Sequence, residues 1–142
     1  MIDSTLQRLI AVYRQERTLY GEILERVHRQ RELIEAGAAF REINAELTRK
    51  RELLLAIESL EASVQADRAI WQRRRHELDG REAKSLIGLL SDVTGLVETI
   101  MARERENEIR LTSRRRSGPQ PAVSQPEAVA AYREHNGAGV ER

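Results

Sequence analysis

Leu6, Tyr13, Tyr20, Val27 and Ile34 stand seven residues apart, five times in succession. A strict seven-residue apolar repeat drifts by about 20° per heptad around a straight helix. The stripe therefore stays on one partner only where helices wrap around each other left-handedly. Leu9, Ile10, Ile23 and Leu24 widen the seam, while Arg17 and Arg31 interrupt its flank. Arginine stems can lie along apolar surface with their heads in water. The pattern predicts a first helix over residues 5–36, with Asp3 and Ser4 as caps for its orphan amides and Gly37 as its stop.

A second repeat follows. Ile43, Lys50, Ile57, Val64, Trp71 and Leu78 are again seven apart, with Phe40, Leu47 and Leu54 as a companion row and Leu53 and Leu60 beside it. This predicts a single second helix over residues 39–79. Past Leu60 the companion row turns into Glu61, Arg68 and Arg75, so the lower part of this helix should be less enclosed.

Gly80 separates it from a third helix predicted over residues 82–109. Here Leu86, Ile87, Leu89, Leu90, Val93, Leu96, Val97, Ile100 and Met101 cover roughly half the helix circumference at 100° per residue. That is wider than a two-helix seam needs. Either the stripe packs on both other helices together, or part of it is an exposed strip of the size that marks a partner site. On the second reading Leu86, Leu89, Leu90, Val93, Leu96, Val97 and Ile100 are the candidate partner-binding residues. Gly88 and Gly95 lie within the stripe, where they either admit a close backbone or leave the helix soft.

After Leu111 the periodicity stops. Arg114, Arg115 and Arg116 lead into SGPQPAVSQP, which holds all three prolines and reads as a flexible linker. A short fourth helix over residues 126–135 is an option, marginal at about ten residues. Short connections at Gly37 and Gly80 make consecutive helices antiparallel neighbours. The expected fold is all-α. It is an elongated antiparallel three-helix coiled-coil-like bundle over residues 1–112, with a flexible linker and tail over 113–142. The first helix alone would be roughly 50 Å long at 1.5 Å per residue.

Composition narrows the function. A third of the residues are charged, yet the net charge is +1 with signs interspersed, so no global field draws nucleic acid or an anionic membrane. There is no cysteine, which removes disulfides, thiol catalysis and thiolate metal sites. No secretory signal and no run approaching about 20 apolar residues is evident, so a cytoplasmic protein without membrane insertion is expected. His28, His76 and His135 are far apart, and His76-Glu77 lacks the second histidine of a zinc protease helix. No phosphate-binding glycine loop or nucleophile elbow is present. Catalytic residues, metal ligands and cofactors are therefore not expected, and an enzyme is the class the sequence supports least.

The arginine triplets Arg73–Arg75 and Arg114–Arg116 could meet phosphates, but Glu77, Asp79, Glu82 and the acids before Arg110 dilute that field. Trp71 fits a core position better than an interface anchor.

The run LQRLIAVYRQERTLYGEILERVHRQRELIEAG, followed by FREINAELTRKRELLLAIESLEA, resembles the FlgN-like flagellar export chaperones. The resemblance is carried by the repeated Leu and Tyr positions of the first helix, Gly37, Lys50, and the segment of Leu53, Leu54, Ile57, Leu60 and Glu61. The stretch 102–108, ARERENE, is similar to the polar end of that family's third helix. The resemblance covers about residues 6–109. It implies a cytoplasmic chaperone of type III export that binds C-terminal helical segments of hook-associated, hook–filament junction proteins. Such a chaperone prevents premature assembly and hands its client to the export apparatus. The alternative is a structural coiled-coil that homo-oligomerises through the same stripes.

Overall fold

The computed structural model describes residues 2–116, with side chains up to Arg114. The fold is all-α: α1 spans Ile2–Glu35, α2 Phe40–Ser63, α3 Gln65–Arg74, a 3-10 turn Arg75–Glu77, and α4 Arg81–Arg116. α1 is the central element, with α4 along one flank and α2 and α3 along the other. Leu6 shares a cluster with Trp71 and Leu86, and Ile34 shares another with Ile43 and Leu111. α2 therefore runs antiparallel to α1, and α4 runs parallel to it.

The first connection is a sharp stop. Gly37 adopts φ 72°, a region other residues enter at a cost. Its N–H donates to the Ile34 carbonyl at 3.1 Å and the Ala38 N–H to the Leu33 carbonyl at 2.9 Å. These two hydrogen bonds satisfy two orphan carbonyls of α1. From α4, the Arg114 guanidinium donates to the Ala38 carbonyl and lies 5.0 Å over the Phe40 ring. One arginine of the second triplet thus fastens the end of the bundle.

The predicted single second helix is two. α2 ends at Ser63, and Val64 adopts φ −120° and ψ 19°, outside the helical range. The Ser63 hydroxyl donates to the Leu60 carbonyl at 2.6 Å, a local bond that competes with the helix ladder. The companion row has also turned polar here, so a straight α2 would carry Glu61 and Arg68 down the seam. The break instead brings Val64 and Trp71 back into the core, 3% and 6% exposed. The lower enclosure expected for this region is found over Gln72–Glu77, which is wholly exposed. The third predicted helix is α4, continuing past 109 and past the expected bundle boundary at 112 to Arg116. The segment proposed as a short helix, 126–135, lies outside the described residues.

Three apolar clusters succeed one another along the bundle. The first gathers Leu6, Leu9, Tyr13, Val64, Trp71, Leu86 and Leu89. The second holds Tyr20, Ile23, Val27, Leu53, Leu54, Ile57, Val93, Val97 and Ile100, and the third Ile34, Ile43 and Leu111. Each large aliphatic chain taken fully from water contributes about 1.5–3 kcal/mol. Between the clusters lie two layers in which heptad positions carry polar side chains.

Candidate functional site

The upper layer separates the first and second clusters. Glu16 of α1 is 2% exposed and hydrogen-bonds to Glu61 of α2. Glu61 is held from two other sides: the Tyr13 hydroxyl donates to Oε2 at 3.2 Å, and Arg68 Nη1 to Oε1 at 3.0 Å. Two carboxyls in contact share one proton, because both cannot ionise in a low-dielectric site. Burial, then the charge of Glu61, pushes the Glu16 carboxyl up to about 9. Glu16 therefore keeps its proton at neutral pH. Burial also raises the Tyr13 and Tyr20 phenols, so both stay neutral donors. A carboxyl so far raised resembles a general acid, but Glu16 is packed between apolar clusters, out of reach of a substrate.

The lower layer separates the second and third clusters. Lys50 of α2, 2% exposed, donates to Glu104 of α4 and to Gln30 Oε1 of α1 at 3.4 Å. Asn107 Nδ2 donates to the Val27 carbonyl at 3.0 Å. Burial pushes the Lys50 ammonium down and Glu104 pulls it back. Gln30 Nε2, Glu104 Oε2 and Asn107 Oδ1 have no hydrogen-bond partner among the described residues. This layer ties all three long helices at one level. The stretch 102–108, read from sequence as a polar helix end, buries Glu104 and Asn107 at 2% and 3% exposure.

The candidate partner residues of α4 divide. Leu86, Leu89, Val93, Val97 and Ile100 lie inside the bundle, at 0–9% exposure. This corrects the picture of a stripe laid open to a partner: α1 packs along it, with Val64 and Trp71 joining Leu86 and Leu89 in one cluster and Leu53, Leu54 and Ile57 joining Val93, Val97 and Ile100 in the next. Leu90 and Leu96 remain half-buried, and Ile87 is 54% exposed. Leu96 lines an open groove of about 530 Å³ together with Arg17, Ser91, Asp92, Gly95 and Thr99. Arg17 pairs with Asp92 at 3.1 Å across it. A Cβ added at Gly88 or Gly95 would meet nothing within 4 Å, so neither glycine admits a close backbone. The accessible apolar surface of α4 is therefore not one band: Leu90 and Leu96 lie on opposite flanks of the buried stripe, and the exposed Ile87 and Ile109 lie outside it.

A second cavity, of about 250 Å³, lies at the other end and is lined by Asp3, Leu6, Glu77, Leu78, Asp79, Gly80, Arg81, Glu82 and Ala83. Among the described residues no group of three or more His, Asp or Glu side chains is placed to hold a metal ion. His28 and His76 are exposed. Arg74 pairs with Glu77 at 3.2 Å, so the first arginine triplet is partly neutralised where it stands.

α4 is also long and apolar enough, by length and composition, to cross a membrane. In the bundle Leu86, Leu89, Val93, Val97 and Ile100 are instead buried, while Ile87 and Ile109 stay exposed. Sequence reasoning missed Glu16, Gln30, Glu104 and Asn107. The signal was present, since Leu9, Glu16, Ile23 and Gln30 form one seven-residue row, as do Val97, Glu104 and Leu111. Compared with protein-family models, curated proteins and solved structures, the chain matches none.

Proposed function

We propose that this chain is a flagellar type III export chaperone. It would bind the C-terminal helical segments of hook–filament junction proteins and hold them from premature assembly until export. The reading draws on the likeness of residues 6–109 to the FlgN-like family. The observation that supports it here is the groove open to solvent beside Leu96, lined by Arg17, Ser91, Asp92, Gly95 and Thr99 on an otherwise charge-studded bundle. An amphipathic segment can lay its apolar face in such a groove. The ordering of a flexible client offsets much of the gain, which leaves a moderate affinity suited to a carrier that must release.

Calorimetry with the C-terminal segments of the hook–filament junction proteins from the same genome tests this. Saturable binding is expected, weakened at least tenfold by Leu96→Asp. Ile109→Asp, at a position 66% exposed and remote from the groove, should leave it unchanged. Absence of binding, or equal binding by all variants, refutes the reading. The alternative, a structural homo-oligomer, has little surface to use. The heptad stripes are consumed within one chain, and the exposed large side chains Leu55, Ile87 and Ile109 are scattered.

A further inference from the structure

α3 and the turn after it are held differently from the rest of the bundle. In α3 only Asp67 and Trp71 are buried, and in the 3-10 turn no residue is. The segment is bounded by the break at Val64 and by the non-helical connection at residues 78–80. A helix of ten residues has little stability of its own. Arg68 pairs with Glu61 of the adjoining α2 at 3.0 Å, and two anchors tie the segment to the rest of the bundle. Trp71 enters the first apolar cluster. Asp67 takes a forked contact from Arg8 of α1, with Nε at 3.0 Å and Nη2 at 2.7 Å, which holds its carboxyl below the ordinary range.

The other walls of that cluster are of another kind. Leu6, Leu9, Leu86 and Leu89 sit on α1 and α4, which pair along their length independently of α3. Lifting α3 away leaves those two helices standing, with an apolar groove between them and Arg8 at its rim. We propose that Gln65–Glu77 is a displaceable strap lying in a helix-binding groove. The groove accepts, in the strap's place, an amphipathic helix with an acidic residue one turn before a large apolar one. Asp67 and Trp71 are four apart, so they share a helix face. Arg8 reads the carboxylate, and the cluster receives the large side chain. This deepens the chaperone reading, on which it rests only for the identity of the incoming helix. It also explains why Leu86 and Leu89, candidates by sequence, are covered in the free chain.

The chain's own strap supplies the probe. A peptide of residues 63–78 carrying Trp71→Phe is silent in tryptophan fluorescence, and Trp71 is the one tryptophan of the protein. Titrated into the full-length protein, it should displace the resident strap and shift Trp71 emission to the red. Full-length Asp67→Asn, which weakens the resident strap, should respond at least tenfold lower in peptide concentration. Hydrogen exchange on the unmodified protein should show amides of 65–77 exchanging at least tenfold faster than those of α1 around Leu9 and of α4 around Leu89. No red shift with either protein, or uniform exchange along the bundle, overturns the strap. Neither measurement uses an export client. A strap that moves without client binding sinks only the chaperone reading, and client binding over an immobile strap sinks only this proposal.

Discussion

Glu16 is the residue at which the bundle responds most to its surroundings. Its folded-state pKa of about 9 lies above the ordinary value of 4.5, so between those limits the folded chain binds a proton that the unfolded chain lacks. Stability from this group is fully present below about pH 4.5 and lost as pH rises toward 9. The slope is at most about 1.4 kcal/mol per pH unit. Asp67 has the opposite sign: Arg8 holds its carboxyl down, so its contribution is present above 3.8 and lost as pH falls through the lowered value. Together they favour mildly acidic conditions. Glu16→Gln keeps the shape, and its amide can still donate to Glu61 without a proton to lose. Urea midpoints from pH 5 to 8 should fall for the unmodified chain relative to this variant, with the variant the more stable at pH 8. Parallel profiles would show that folding does not raise the Glu16 carboxyl above its ordinary value.

At the scale of elements, glycines with the same open surroundings are expected to act in opposite directions. Gly37→Ala forces a Cβ into φ 72°, where no neighbour lies within 4 Å, so its cost of about 1–2 kcal/mol is purely conformational. Gly88→Ala and Gly95→Ala sit in helical backbone with equally open space, and each should stabilise by up to about 1 kcal/mol. Thermal melts should separate the signs; a destabilised Gly95→Ala would mean that a neighbour approaches this face in solution. These positions also show what was legible beforehand. Gly37 and Gly80 located the connections, and the heptad rows gave the faces of α1 and α4. The break at Val64 was not legible, because the apolar row runs unbroken through Ile57, Val64 and Trp71. Only the polar companion row hinted at it, and the competing Ser63 bond is a three-dimensional fact. The breadth of the α4 stripe was legible, but not its burial. A row of leucines looks the same whether another helix or solvent covers it, and the strap that covers Leu86 and Leu89 comes from a helix that had seemed continuous.

In the molecule as a whole, the lower polar layer is where the three long helices are brought into one register. Lys50, Glu104 and Gln30 meet between the second and third apolar clusters, and each replaces an apolar residue in a heptad row. A polar residue at a seam position costs stability, but it disfavours shifted pairings that would bury it without a partner. Removing one charge leaves the other buried and uncompensated. Lys50→Met or Glu104→Leu alone should therefore destabilise by about 3–5 kcal/mol. The double variant replaces the pair by packed apolar volume, and should match the unmodified chain or exceed it by about 1–4 kcal/mol in urea denaturation. The strongly non-additive cycle is the signature of a direct pair; additive losses would place Lys50 and Glu104 in separate environments. If the layer also selects the register, the stabilised double variant should gain an alternative helix pairing. Sedimentation would then show a concentration-dependent larger species that the unmodified chain lacks. A double variant that is both more stable and uniformly sized would assign the register to the apolar clusters and the Gly37 turn alone.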